Sequence, residues 1–257
     1  MSFKSIVSSI FTSLLLLTPT QLFAATCTAQ TDAQTISLLE LYTSEGCSSC
    51  PSADKWLSNL TPNPSLYVAL AFHVDYWDYI GWHDRFSKAQ FSDRQRKIAA
   101  LNHTGFVYTP QFVLNGKDFK SGDDHYFHSK IAKQQKLPTR ATLSLNTTTD
   151  SNGRISLNAT AQLTNNQEIK QAEVFLALYE NKLETQVKAG ENNGRLLKHD
   201  YVVRELFGAF PISAENQFIK QFKLDEAWKN KNAGAVLFVQ DANNGEVLQS
   251  LQLAFCD

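Results

Sequence analysis

Glu45-Gly46-Cys47-Ser48-Ser49-Cys50-Pro51 is the stretch that decides the fold. It follows an apolar run, Ile36 to Tyr42, of the kind shown by a strand buried on both faces. It precedes Ala53, Trp56, Leu57 and Leu60 at helical spacing, with Pro62 as the stop. Two cysteines therefore stand one helical turn apart where a strand hands over to a helix N-terminus. The unpaired N–H groups and the helix dipole favour a thiolate there. Such settings lower a cysteine pKa from about 8.5 to roughly 3.5–7.5. Cys47 is expected to be the more exposed, attacking thiol, and Cys50 the resolving one. Pro51 is tolerated because first-turn positions have no intrahelical N–H partner to lose. A metal site or a structural bridge is the other use of such a pair. A structural zinc site needs four ligands, and no second CxxC accompanies this one.

Outward from the motif, Leu66 to Val74 reads as a second buried strand. Ser87 to Gln90 has capping-box spacing and opens a helix to about Asn102. Phe112 to Leu114 and a following strand are joined through Asn115-Gly116, a hairpin turn signal. A helix over 123–135 closes a β-α-β-α-β-β-α order. Beyond Pro138 the apolar period becomes two, at Leu143 and Leu145, then Ile155, Leu157, Ala159 and Ala161. Val174 to Tyr179, Phe218 to Leu224, Ala235 to Val239 and Val247 to Leu253 look alike, and Asn-Gly turns punctuate them. That pattern predicts an antiparallel β-sandwich. The expected division is a signal peptide at 1–25, a CxxC-bearing α/β domain at 26–138 and a β-rich, sandwich-like domain at 139–257.

The 257 residues are 43% hydrophobic and 19% charged, which is too apolar for disorder and ample for two cores. With 24 basic residues against 25 acidic ones, nothing draws the chain to nucleic acid or to anionic membranes. Lys4, the apolar run Ile6 to Leu17 and Ala24-Ala25 have the layout of a secretory signal. The run is about half of the ~20 residues that span a bilayer. The mature chain is thus expected to be secreted or periplasmic, with no membrane association after signal removal. In an oxidising compartment, Cys27 and Cys256 at its two extremes invite a structural disulfide.

Four further stretches sharpen the reading: Leu41 to Asp54; Ala71 to Asp78 with Gly81-Trp82; Tyr108 to Gln111; and Gly190 to Arg195 with His199-Asp200 and Val202 to Arg204. Together they resemble the secreted, thioredoxin-like family catalogued as domain of unknown function 1223, over nearly the whole mature chain. The resemblance implies a thioredoxin-like first half, with a cis-proline at Pro110 opposite the CxxC and a substrate chain docked on the backbone at Thr109. In thioredoxins a buried acid near the position of Glu40 shuttles a proton, although the spacing here is one residue longer. Glu40 is the sole charged residue of its strand, and either serves that role for Cys50 or pairs with a base.

His73 to Asp78, with Tyr79, Trp82 and His83, form an aromatic-rich loop at the strand edge where open α/β sheets place ligands. Asp75 is a second candidate to manage protons, and Trp77 and Trp82 are candidate walls of a substrate groove. His73 and Tyr79 read as packing, Glu45 as a solvated loop residue, and His199 and Arg204 as structural pairing. The leading expectation is an exported thiol-disulfide oxidoreductase acting on a cysteine-containing protein or small thiol, with an unidentified redox partner. No organic cofactor is implied, since no Gly-rich phosphate loop occurs. Two rivals stand beside it. One is a thioredoxin-like module holding copper or another soft metal through Cys47, Cys50 and His73. The other is a partner-docking protein whose dithiol is structural.

Overall fold

The computed structural model describes residues 25–120, 123–150, 152–164, 171–212, 217–224, 228 and 230–256. Apart from Ala25, the expected signal peptide lies outside the described residues. The first half runs β1 (Ala25–Gln30), β2 (Ser37–Thr43), α1 (Cys50–Asn59), β3 (Tyr67–His73), α2 (Ala89–Leu101), β4 (Gln111–Leu114), β5 (Lys117–Asp118) and α3 (Asp124–Gln134). The second half is built of strands: β6 (Ala141–Thr149), β7 (Arg154–Leu163), β8 (Ala172–Glu180), β9 (Leu183–Gln186), β10 (Leu196–His199), β11 (Val202–Pro211), β12 (Gln217–Lys223), β13 (Ala233–Asp241) and β14 (Val247–Ala254).

Every residue of β2 and β3 is buried, as the continuous apolar runs require. Leu39 and Leu41 face α1 and α3, packing with Ala53, Leu57, Phe127 and Ile131. Leu38 and Tyr42 face the other way, toward Phe91 and Ile98 of α2. Asn115 and Gly116 take positive φ, 49° and 79°, in the β4–β5 hairpin turn. The capping box expected at Ser87 is not formed, and Lys88 holds the N-cap position without a side-chain bond. Both box residues are drawn to other elements: Ser87 Oγ donates to Asp78 Oδ2 (2.7 Å) and Gln90 Nε2 to Leu206 O (3.0 Å).

The fold is mixed α/β, and its sheets do not follow the division expected at 138/139. One eight-stranded sheet has the order β14-β13-β8-β11-β3-β2-β4-β5 and takes four strands from each half. β2 and β11 both run parallel to β3, and the other neighbours are antiparallel. A second, antiparallel sheet, β1-β6-β7-β12, packs on β8, β13 and β14 through Leu143, Leu145, Leu157, Leu176, Leu237 and Leu251. The strands anticipated after Pro138 are therefore present, but they are shared between an antiparallel sheet and the mixed sheet that also carries α1. β11, which has no clean alternation in the sequence, is the strand that joins the halves within the eight-stranded sheet: Val202 pairs with Ala71, and Ala71 N donates to Tyr201 O (2.8 Å). Cys27 on β1 is bonded to Cys256 just beyond β14, with Cα atoms 5.9 Å apart.

On the α2 face, Arg94 crosses the seam. Its Nε and Nη2 donate to the two oxygens of Glu40 (2.7 and 2.9 Å), and its Nη1 to Gln240 Oε1 of β13 (3.2 Å). The guanidinium lies 4.9 Å from the ring centres of both Phe175 and Phe238. Both charges are buried, so removing one partner leaves the other uncompensated in the core. Arg94→Met is expected to cost about 3–5 kcal/mol of unfolding free energy. The double variant Glu40→Leu/Arg94→Met should recover most of it. Urea titrations read both, and a single variant within 1 kcal/mol of the parent, an order-of-magnitude bound, would count against this role.

Candidate functional site

α1 begins at Cys50 with Pro51 in its first turn, and Cys47 is bonded to Cys50 with Cα atoms 5.4 Å apart. Cys47 N donates to Ser44 O and Cys50 N to Cys47 O, both at 3.2 Å, winding the motif into the helix start. The expected exposure of Cys47 is not found: both cysteines have 0% exposure, while Ser48 and Ser49 between them face solvent. The cover comes from the Gly190 to Arg195 loop of the second half. Asn192, itself buried, donates from Nδ2 to the carbonyls of Glu45 (2.8 Å) and Cys47 (2.9 Å). Arg195 Nη1 holds the Asn192 side chain through Oδ1 (2.7 Å), and Ser48 N donates to Glu191 Oε2 (3.0 Å). Hydrogen bonds from Ser48 hold the Glu191 carboxyl below the usual range. Gly190 has φ +71°, and a Cβ there would meet Trp82 Cβ at 3.3 Å, so the close seat of this loop needs glycine.

Behind the motif lies a buried polar layer. Glu45 is not the solvated loop residue expected; it has 0% exposure. Trp82 Nε1 donates to its Oε2 (2.8 Å), and its Oε1 stands 3.5 Å from His199 Nε2. On the other side of that ring, Asp54 Oδ1 is 3.9 Å from His199 Nδ1, and Thr43 Oγ1 donates to Asp54 Oδ2 (3.1 Å). These two His199 separations are ion-pair distances, too long for hydrogen bonds. Burial opposes a charge on His199, but Asp54 and Glu45 outweigh it and raise the imidazole to about 10. His73 stacks edge-on to His199, ring centres 5.0 Å apart, and its Nδ1 is 2.6 Å from Asp84 Oδ2. Burial pushes the Asp84 carboxyl up, yet His73 beside it and the amides of Glu45 and Phe86 bring it below the usual range.

Several expected residues do meet. The Thr109–Pro110 bond is cis, and Trp77 Nε1 donates to Thr109 Oγ1 (2.7 Å). The Trp77 Cβ also backs Gly46, where a Cβ would come within 3.2 Å of it. Trp77 thus links the CxxC loop to the proline loop. A cavity of about 720 Å³ opens between Ser52, Ala53 and Trp56 of α1 and Tyr108, Pro110 and Phe112. Others are drawn elsewhere. Glu40 shares the α2 face of β2 with Leu38 and Tyr42, whereas Cys50 belongs to α1 on the opposite face, so Glu40 pairs with Arg94 rather than serving Cys50. Asp75 accepts from Ser92 of α2 and ties its loop to that helix. Trp82 braces Glu45 and Gly190 instead of lining a groove. His199 lies between Glu45 and Asp54 at ion-pair distances, and Arg204 pairs with Glu180.

Asp54, Asp84 and Asn192 were missed. Asp54 had a usable signal, since it lies at i+4 from Cys50 and so on the same face of α1. Asp84 and Asn192 had none in local pattern, because their roles exist only once loops distant in sequence are brought together.

Fold and site together define a mixed α/β protein with a CxxC disulfide at a helix N-terminus, covered by a loop from its second half. The chain belongs to the family described as protein of unknown function (DUF1223), matched over residues 38–240. No curated protein matches it. Among solved structures it is similar to protein AGR_C_4864 of Agrobacterium tumefaciens, with 21% identity, TM-score 0.62, and coverage of 86% of this chain and 96% of that one. It is also similar to HBP35 of Porphyromonas gingivalis, with 17% identity, TM-score 0.64, and coverage of 88% of this chain and 76% of that one. At these identities the likeness concerns the fold alone.

Asn192→Ala removes the donor shared by two buried carbonyls. The variant should lose about 1–3 kcal/mol of stability. It should also let a phosphine reductant open the Cys47–Cys50 bond faster than in the parent, followed by thiol trapping and mass analysis. An unchanged rate would show that the Gly190 to Arg195 loop does not control access.

Proposed function

We propose that this protein is an exported thiol-disulfide oxidoreductase whose first half is a thioredoxin-like unit acting through Cys47 and Cys50. The observation that carries the reading is the pairing of that disulfide, at the start of α1, with the cis Thr109–Pro110 bond on the loop joined to it by Trp77. In the reducing direction, the Cys47 thiolate attacks a substrate disulfide and one substrate sulfur leaves as thiolate. Cys50 then attacks Cys47, the Cys47–Cys50 bond forms, and the second substrate thiolate is released. Two electrons pass to the substrate, and the reverse sequence oxidises a dithiol. The helix N-terminus stabilises the Cys47 thiolate. Thr109 and Pro110 offer backbone to the partner chain, and the cavity beside them, walled by Trp56 and Tyr108, receives its side chains. Glu40 and Asp75, engaged with α2, are assigned no proton transfer. The substrate class is a cysteine-containing protein or a small thiol. Export accords with two disulfides and with the described helices, none of which is long and apolar enough to cross a membrane.

One observation favours a second reading, a partner-docking protein with a structural bridge: the complete burial of both cysteines. Equilibration in graded glutathione buffers, with thiols trapped and weighed, separates the two. Exchange chemistry requires a reversible two-electron transition, with a midpoint between about −120 and −270 mV. A bond still closed below about −300 mV would make it structural and overturn the proposal. Cys47→Ser should abolish turnover of a disulfide substrate, and Cys50→Ser should accumulate the mixed disulfide.

A further inference from the structure

Among the described residues, five buried side-chain nitrogen or oxygen atoms lack a hydrogen-bond partner, and four of them crowd into one place. They are Glu45 Oε1, His73 Nε2 and both ring nitrogens of His199; the fifth is Thr185 Oγ1. An unpaired buried polar atom costs on the order of 1–3 kcal/mol, so four together in one layer call for a missing partner. Asp54, His73 and His199 each bring one donor atom to within 4.8 Å of the others. His73 and His199 are 0% and 2% exposed, and Asp54 is 5% exposed.

The chemistry of each group selects a cation. His73 Nδ1 lies 2.6 Å from Asp84 Oδ2, an oxygen that also accepts from Glu45 N, so the His73 hydrogen sits on Nδ1 and Nε2 is left to face the cluster. A histidine whose far nitrogen donates to a carboxylate is the usual outer support of a metal ligand. Two imidazoles and a carboxylate suit a borderline divalent ion that tolerates three protein ligands and an open position. Glu45 Oε1, 3.5 Å from His199 Nε2, adds a second carboxylate beside the three donors. A cavity of about 450 Å³ lined by Asp54, His199, Arg195 and Leu197 supplies a way in from solvent.

We propose that Asp54, His73 and His199 form a buried site for one divalent transition-metal ion of the zinc(II) class, beneath the dithiol and independent of its sulfurs. Binding draws the three donors from their present spread toward the roughly 3.3 Å spacing of a tetrahedron with ligands at about 2.0–2.1 Å. The site stands or falls apart from thiol exchange, because neither Cys47 nor Cys50 is a ligand.

The test strips the purified protein with chelator, titrates zinc(II) against a chromophoric competitor, and reads the bound shell by X-ray absorption. One zinc per chain is expected, with a nitrogen and oxygen shell, two imidazoles and no sulfur. His73→Gln and His199→Gln should each weaken binding by at least about 100-fold. Asp84→Asn, which removes only the support of His73, should weaken it about 10–100-fold. A Cys47→Ser/Cys50→Ser variant should bind as the parent does. Absence of stoichiometric zinc, sulfur in the shell, loss of binding in the cysteine variant, or tight binding in both histidine variants would each overturn the proposal. Should the histidine variants fail to fold, the absorption spectrum of the unaltered protein decides alone, since a shell with sulfur or without two imidazoles refutes it.

Discussion

The main-chain pairing of β11 with β3 is the constraint on which the functional end of the molecule depends. It inserts a strand of the second half beside a strand that ends at His73, at the sheet edge where α1 begins. The chain entering β11 is thereby carried past the CxxC, and it holds Asn192, Arg195 and His199. Parallel neighbours need long crossovers, and this one runs through α2, α3 and strands of the second half before it returns. Contacts of that separation form late and are costly in loop entropy, so the covering of the dithiol is a property of the completed fold.

Arg94 secures the same seam from the other face. Its charge is balanced by β2, its third hydrogen bond goes to β13, and its guanidinium lies beside a stacked pair of phenylalanines of the second half, 4.9 Å from each ring centre. Apolar side chains in place of both Glu40 and Arg94 could fill that space at little cost in free energy, but they would not require one register between the halves. The pair fits a role in specifying how the halves meet more readily than one in raising stability.

Much of the first half was legible because its signals are local. Ile36 to Tyr42 reads as a doubly buried strand, Asn115-Gly116 as a hairpin turn, and the spacing of Ala53 and Leu57 as a helix. Position within the strand was also in hand for Glu40: period two sets it on the face of Leu38 and Tyr42, away from Leu39 and Leu41, which pack on α1. β11 was not legible, since its register with β8 shifts between Val203 and Glu205 and again between Phe207 and Phe210, so it never shows a sustained alternation. The Gly190 to Arg195 loop and Asp84 act on residues more than thirty positions away, where no periodicity reports them.

The cover over the dithiol and the polar layer behind it are parts of one arrangement. Asn192 can hold the carbonyls of Glu45 and Cys47 only if the Glu45 backbone lies flat against its loop, and that places the Glu45 side chain inward. A carboxylate turned inward needs a counter-charge, which His199 supplies as the next strand of the same chain segment comes in, with Trp82 bonding the remaining oxygen. Asp84 links the two levels, since the oxygen that accepts from Glu45 N also meets His73 Nδ1. Movement of the loop enough to expose Cys47 therefore disturbs the seat of Glu45. Glu45, two positions before the first cysteine, and Asp84 are thus the residues shared by the cover over the sulfurs and the buried layer.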